Sequence, residues 1–318
     1  MATEGSDNLS SDLLRRVVLP GVVAVLYLHP YLNGLASSAS HFYGVTALVV
    51  LTVETVLLGL LISSAKLPIF YIYEGFRLTW LTAPAKWVNM RRKDKARKRL
   101  AALYEKYGKY EDFPEAYKNK ASKLSGFLSN FPVKRNHDGK AMYAVDSSTL
   151  LGNIIAGYES YPATRYGIDG LFFWFHILIF APEAARKEYE EKVSFAESLV
   201  LTSATGAIVA FCALCALFGR AVGAWTGKYL IHVTQPASTD WLGLAGGLIV
   251  CFVFYKLALP AHRRVASSFR AVTDLAMPKL LCWVKTFQAP VPLEIITKAD
   301  SMVKYLKRLS SSKVEPRS

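Results

Sequence analysis

Apolar positions in this chain gather into four long runs, at about 17–37, 42–63, 199–219 and 241–259, separated by charged stretches. An α-helix needs about 20 apolar residues to cross the hydrocarbon layer of a bilayer, so all four are candidate spans. Pro20, Gly21 and Pro30 interrupt the first, and a kinked helix is expected there. Arg15 and Arg16 ahead of it, with small residues behind, also fit a cleaved signal peptide. The link to the second run, NGLASSASH, is short and uncharged, so these two runs read as a helical hairpin. The third run is joined without a breaker to EAARKEYEEKVSFAES, residues 183–198, predicting one long helix that passes from a polar start into an apolar span. Pro182 beside Glu183 suits its start. After the fourth run the pattern predicts a helix over 262–287, a turn at Ala289–Pro292, a helix over 293–309 and a basic end.

Between the second and third runs the period changes. Residues 65–88 interleave Phe70, Tyr71, Tyr73, Phe76, Trp80 and Trp87 with Glu74, Arg77 and Lys86. That mixture beside a span suits the headgroup layer and predicts an interfacial helix bent or ended before Pro84. Leu100, Leu103, Tyr104 and Tyr107 recur at helical spacing, a break is expected near Gly108–Pro114, and a second helix over 114–128. Asn136–Gly139 has loop chemistry, and 141–145 reads as a short extended piece. The run at 171–180 is too short to span, so burial in the domain or a dip into the interface is expected.

The predicted fold class is therefore an all-α membrane protein, two transmembrane helical hairpins with an inserted, mainly helical cytoplasmic domain. Its predicted parts are a disordered tail (1–16), hairpin 1 (17–63), the inserted domain (64–197), hairpin 2 (198–259) and a helical tail (260–318). Composition sharpens this. The chain of 318 residues is 52% hydrophobic yet carries a formal net charge of +14, a pairing that basic loops beside apolar spans produce. Lys and Arg concentrate in 64–197 and 260–318, while 38–41 and 220–240 carry few, which places both termini and the inserted domain in the cytoplasm. Cys212, Cys215, Cys251 and Cys282 follow no disulfide or zinc spacing. Cys212 and Cys215 read as small packing residues.

Charge within the spans and beside them marks the candidate chemistry. Glu54 lies near the middle of the second run, where a carboxylate costs at least about 2.5 kcal/mol on insertion scales. At about 1.5 Å per helical residue, the antiparallel hairpin brings His29 to a similar depth, and a Glu54–His29 contact is expected. Two roles are open to it, interhelical hydrogen-bond glue or a proton or ion pathway. Arg91, Arg92, Lys93, Lys95, Arg97, Lys98 and Arg99 form the densest basic cluster. Beside a span this is the pattern of an anchor for anionic lipid. No nucleic-acid recognition module surrounds it, so nucleic acid is a disfavoured partner.

The most pointed stretch is Ser147–Trp174. Ser147, Ser148 and Thr149 are candidate N-caps for a helix starting LLGNIIAGYES, and Tyr161–Pro162 ends or turns that helix. In the next helix Arg165 and Asp169 stand at i, i+4 and can pair, with Glu159 in reach. Asn153, Glu159, Tyr161, Arg165, Tyr166 and Asp169 are the candidate binding or coupling corner. They read either as a salt-bridge network locking a helical corner or as an Arg165-centred site for an anionic group. His137 and His176 are isolated and read as structural. No nucleophile–base pair, metal set or phosphate loop is present in the sequence, so no catalytic residue, metal or cofactor is assigned.

The pattern L-G-N-I-I-x3-E-x-Y-P-x2-R-Y-G-I-D, here Leu151–Asp169, with Trp174 beyond it, resembles an element of uncharacterised bacterial four-span integral membrane proteins. Tyr73-Glu74-Gly75-Phe76 resembles a second element of that group. The resemblance implies the same architecture and a bacterial inner-membrane location, and no activity. The functional expectation is a non-enzymatic sensing or scaffolding module, whose cytoplasmic domain binds anionic lipid, a protein partner or a second copy. A channel or transporter component using Glu54 is the alternative, and a membrane enzyme acting on lipid-linked substrate a third.

Overall fold

The computed structural model describes residues 14–29, 47–75, 79–135, 141–143, 147–226 and 237–286. Residues 1–13 of the expected tail, the 30–46 and 227–236 links, the Asn136–Gly139 loop with His137, and everything after 286 lie outside the described residues, while 14–16, expected in the disordered tail, are helical. Helices dominate. They are α1 (Arg16–His29), α2 (Ala47–Ser64), α3 (Lys66–Tyr73), α4 (Thr79–Tyr107), α5 (Glu115–Leu128), α6 (Leu150–Glu159), α7 (Tyr161–Tyr166), α8 (Gly170–Phe180), α9 (Glu183–Thr226) and α10 (Ala237–Thr286). A small antiparallel pair, β1 (Val133–Arg135) and β2 (Ala141–Tyr143), has Lys134 opposite Met142. The sequence pattern anticipates the extended piece at β2 and makes no assignment for 133–135.

Among the described residues two helices, α9 and α10, are long and apolar enough to cross a membrane, and the count rises to three if α2 and α3, bent by 60° at their junction, form one span. Three sequence expectations are corrected. The aromatic stretch 65–88 is two helices, because the chain turns at Glu74–Gly75, where Gly75 has φ +81°. Pro84 lies inside α4 and does not end it; close to a helix start a proline forfeits a single backbone bond. The fourth apolar run and the helix after it are one 50-residue helix, α10, which continues through Pro260. The expected union of 183–198 with the third run is observed in α9, 44 residues long.

The chain divides into two compact units, residues 1–73 with 191–261, and 74–190 with 262–318. The first holds α1–α3, most of α9 and the first half of α10. Its composition is inverted relative to a water-soluble fold. Large apolar side chains point outward, among them Leu26, Leu57, Phe211, Phe218, Leu242 and Phe252, whereas Ser194, Ser198, Thr202, Ser203 and Thr205 are buried. Thr202 and Thr205 return their hydroxyl protons to the carbonyls four residues earlier, at 2.7 and 2.9 Å, so the buried oxygens remain satisfied.

Glycine sets the helix spacing in this unit. A Cβ on Gly21 would collide with the Thr55 carbonyl, and one on Gly59 with the Val17 carbonyl, so α1 and α2 touch backbone to backbone. Gly206 of α9 and Gly247 of α10 make the matching contact, a Cβ on Gly247 falling 2.6 Å from the Gly206 carbonyl oxygen. Gly243, one turn before Gly247, instead receives the ring of Tyr27. With no hydrophobic force between helices in lipid, such close approach supplies the packing. Polar ties complete it. Tyr73 shares a 2.9 Å hydrogen bond with Ser203, and Arg220 Nε donates to buried Asp240 at 2.7 Å. Lys66 pairs with Glu197 at 2.6 Å, and Arg16 Nη1 lies 3.3 Å from the same carboxylate.

The second unit has two cores. Leu103 of α4 packs with Phe113 and Ala121 of α5's approach and face, flanked by Leu100, Tyr107 and Tyr117. Gly108, at φ +76°, ends α4 where the sequence places its break. The larger core joins Ile168 and Ile177 of α8's side to Val272, Ala276, Met277 and Leu280 of α10. Trp174 stacks on Phe269 at 4.5 Å.

Replacing Gly247 by Val should lower the melting temperature of the detergent-solubilised protein sharply. Overpacking commonly costs about 1–3 kcal/mol, and here the obstructing atoms are backbone. Gly246, with open space around its Cβ position, is the control; Gly246→Ala should melt at or above the wild type.

Candidate functional site

Helix α6 begins at a hydrogen-bonded polar node. Thr149 is the N-cap, its hydroxyl oxygen accepting from the Gly152 amide at 2.9 Å. Asn153, wholly buried, donates through Nδ2 to the carbonyls of Ser147 (2.8 Å) and Thr149 (2.6 Å) and accepts from the Ser147 amide at 3.2 Å. The turn Glu74–Gly75 docks on this node. Ser147 Oγ donates to the Glu74 carbonyl, Ser148 Oγ donates to the Gly75 carbonyl at 3.1 Å, and a Cβ on Gly152 would collide with the Glu74 carbonyl. Asn89 of α4 adds an amide donor to the Ser148 carbonyl at 2.9 Å. Asn153 is thus an organiser of backbone, with its amide group engaged in the fold.

This docking brings together the two sequence elements singled out above, 73 residues apart. It also brings their carboxylates near each other. Glu74 and Glu159 are both half-buried. Burial, and then the charge of Glu159, push the Glu74 carboxyl up to about 7. Burial likewise raises that of Glu159. Neither carboxylate has an ion-pair partner among the described residues. A carboxyl titrating near neutrality in such a setting is able to hold or release a proton.

The remaining corner residues divide. The helix after α6 stops at Tyr166, with Gly167 at φ +73°, so Arg165 and Asp169 do not share a helix as their i, i+4 spacing predicts. Arg165 is exposed and hydrogen-bonds the Tyr166 side chain. Asp169 starts α8, its Oδ1 accepting from the Phe172 amide at 3.3 Å. Glu159 acts electrostatically on Glu74. Tyr161 and Tyr166, packed edge to face, converge on a residue that sequence reading missed. Their hydroxyls donate to Asp274 of α10, that of Tyr161 at 2.8 and 3.0 Å. Burial and then the Asp274 hydrogen bond raise both phenols above their ordinary value, so they stay donors across the physiological range. The signal for Asp274 was an acidic residue one helical turn after Arg270, unremarkable without knowing which face meets α7.

The basic cluster lies on α4. Arg91, Arg92, Lys95, Arg97, Lys98 and Arg99 are exposed, and Lys93 is half-buried, 3.4 Å from Asp94. Arg91 lies over the Trp87 ring at 3.6 Å, a cation–π pair. On α8, Phe172, Phe175 and Ile179 point outward on the face opposite the core. In the first unit the expected His29–Glu54 contact is observed, with His29 Nδ1 2.8 Å from Glu54 Oε2. Among the described residues no group of three or more His, Cys, Asp or Glu is placed to hold a metal ion.

No protein-family model, curated protein or solved structure matches the chain.

The Glu74 carboxyl is raised on folding, so the native unit holds a proton that the unfolded chain has already lost between about pH 4.5 and 7. Stability therefore falls as pH rises through that window and levels off above it. Melting curves of the full chain from pH 5 to 8 should show that decline, and Glu74→Gln should flatten it. Glu159→Gln, removing a like charge, should shift the midpoint downward.

Proposed function

We propose that the chain is an integral membrane module with four spans in two hairpins, both termini and the 64–197 region cytoplasmic, that works by binding anionic lipid through its cytoplasmic helical unit. The likeness noted in the sequence supports a bacterial inner membrane as its site. The observation that carries the function is the exposure of six cations between Arg91 and Arg99 on one helix, with Asp94 as the single acidic residue in that segment. Each Lys or Arg near an anionic surface contributes about 1 kcal/mol, so such a helix binds strongly without a shaped pocket. Trp87 and the outward stripe Phe172, Phe175 and Ile179 supply amphipathic and apolar surface of the kind that enters a headgroup layer. The turn–cap node at Glu74 and Asn153 then serves as the corner that holds this unit in shape.

Native mass spectrometry of the full chain from mild detergent should show retained phosphatidylglycerol in preference to phosphatidylcholine. Changing Arg91, Arg92, Lys95, Arg97, Lys98 and Arg99 together to Gln should cut that preference more than tenfold, with the effect largest at low salt. Unchanged preference would remove the lipid reading and leave a protein partner as the unit's target.

A second reading has its own observation, the 2.8 Å His29–Glu54 pair. Ionisable groups at membrane depth that pair with one another are a mark of proton or ion pathways as well as of structural glue. In proteoliposomes, pathway use requires that Glu54→Gln abolish proton flux while assembly persists. Equal flux in both proteins would assign the pair to structure.

A further inference from the structure

A cavity of about 470 Å³ opens between α5, α6 and α10 in the second unit, lined by Lys123, Arg263 and Arg270 and by no acidic residue. Its floor is apolar, with Phe127, Ile154 and Ala266. From this geometry we infer that the cavity is a binding site for an organic phosphate, the phosphoryl group held by Lys123, Arg263 and Arg270 and the body of the ligand resting on the apolar floor.

Three observations support it. First, among the described residues no carboxylate lies within ion-pair distance of any of the three cations. The nearest candidate by sequence, Asp274, one turn beyond Arg270, is taken by the hydroxyls of Tyr161 and Tyr166. Three cations facing one space with no counter-charge create a local positive potential that favours an anion of two charges. Second, the Nε–H of Arg270 is buried with no hydrogen-bond acceptor, and its guanidinium also lies 5.6 Å from the Tyr161 ring centroid. That aromatic contact holds the guanidinium without adding a counter-charge, so its positive charge remains available to an anion.

Third, the groups that would repel an anion are already engaged. The C-terminal carbonyls of α5 at Gly126 and Phe127 accept from Ser129 Oγ (2.9 Å) and Asn130 Nδ2 (2.8 Å). The amide oxygen of Asn130 accepts from Arg263 Nε at 2.8 Å, which fixes that guanidinium by one edge. Arginine presents further donors in a planar fork, matched to phosphate oxygens. The volume falls in the range of small-molecule sites, about 300–1,000 Å³, and exceeds what a bare inorganic anion would fill. The site is separate from the basic surface of α4, and its test is independent of the proposal made for that surface.

The test uses the full chain in an uncharged detergent and in phosphatidylcholine nanodiscs. Calorimetric titration should give saturable binding of phenyl phosphate, tighter than inorganic phosphate, and Arg270→Met should weaken it at least tenfold. Lys123→Gln, an exposed position that does not threaten folding, should weaken it several-fold with an unchanged melting temperature. The variant with six Gln on α4 should keep full affinity. Phosphatidic acid in the nanodisc identifies the source. If it blocks phenyl phosphate, the natural ligand is a lipid headgroup; if it does not, the ligand is a soluble phosphate ester. Absence of saturation with all three probes, or binding that Lys123→Gln and Arg270→Met leave intact, would overturn the assignment.

Discussion

Burying backbone polar groups is tolerable only when each finds a partner, and the second unit is organised around one place where this is hard. The first amides of α6, the carbonyls of Ser147 and Ser148, and the carbonyls of the Glu74–Gly75 turn all meet away from solvent. An unsatisfied buried donor or acceptor costs about 1–3 kcal/mol. Asn153, Thr149, Ser147, Ser148 and Asn89 satisfy the Gly152 amide and the carbonyls of Ser147, Ser148, Glu74 and Gly75 with short side chains. Gly152 is required because any Cβ would occupy the space of the Glu74 carbonyl, and Gly75 because the turn needs a left-handed residue. The sequence elements YEG and LGN are thus the two halves of one interaction.

A charge pattern follows from this arrangement. Glu74 and Glu159 sit half-buried with no described cation, and each is pushed toward its protonated form. Around the cavity at Lys123, Arg263 and Arg270 the opposite holds, with cations and no carboxylate. Asp274 could have neutralised Arg270, but two tyrosines occupy it. Because a phenol donates without adding positive charge, it satisfies the carboxylate and leaves the arginine unneutralised. Opposite charges kept apart in one small unit retain their fields for ligands or protons, at some cost in stability.

In the first unit the constraint is the solvent. Outward leucines and phenylalanines and an inward line of serine and threonine on α9 suit a surround as apolar as the protein's own side chains. Attraction between helices then depends on close backbone approach at Gly21, Gly59, Gly206 and Gly247, and on a few polar ties such as Arg220 to Asp240.

Much of this was readable in the residues, where the cause is local or periodic. Apolar length marks α9 and α10, an uninterrupted helical pattern joins 183–198 to the third run, and antiparallel helix geometry brings His29 to Glu54. Gly108 and the exposed basic face of α4 are likewise local properties. The corner at Ser147–Trp174 was recognisable as special, but its workings were not. Charges spaced i, i+4 predict an Arg165–Asp169 pair on one helix, and Gly167 breaks the helix between them. The influence of Glu159 on Glu74 was not readable either, because the two come together only when the turn docks on α6. Asp274 and the three cations of the cavity come from α5 and α10, distant in sequence and individually ordinary. Periodicity specifies which face of a helix is apolar. Which polar side chains meet across the gaps between helices depends on crossing positions that only packing decides.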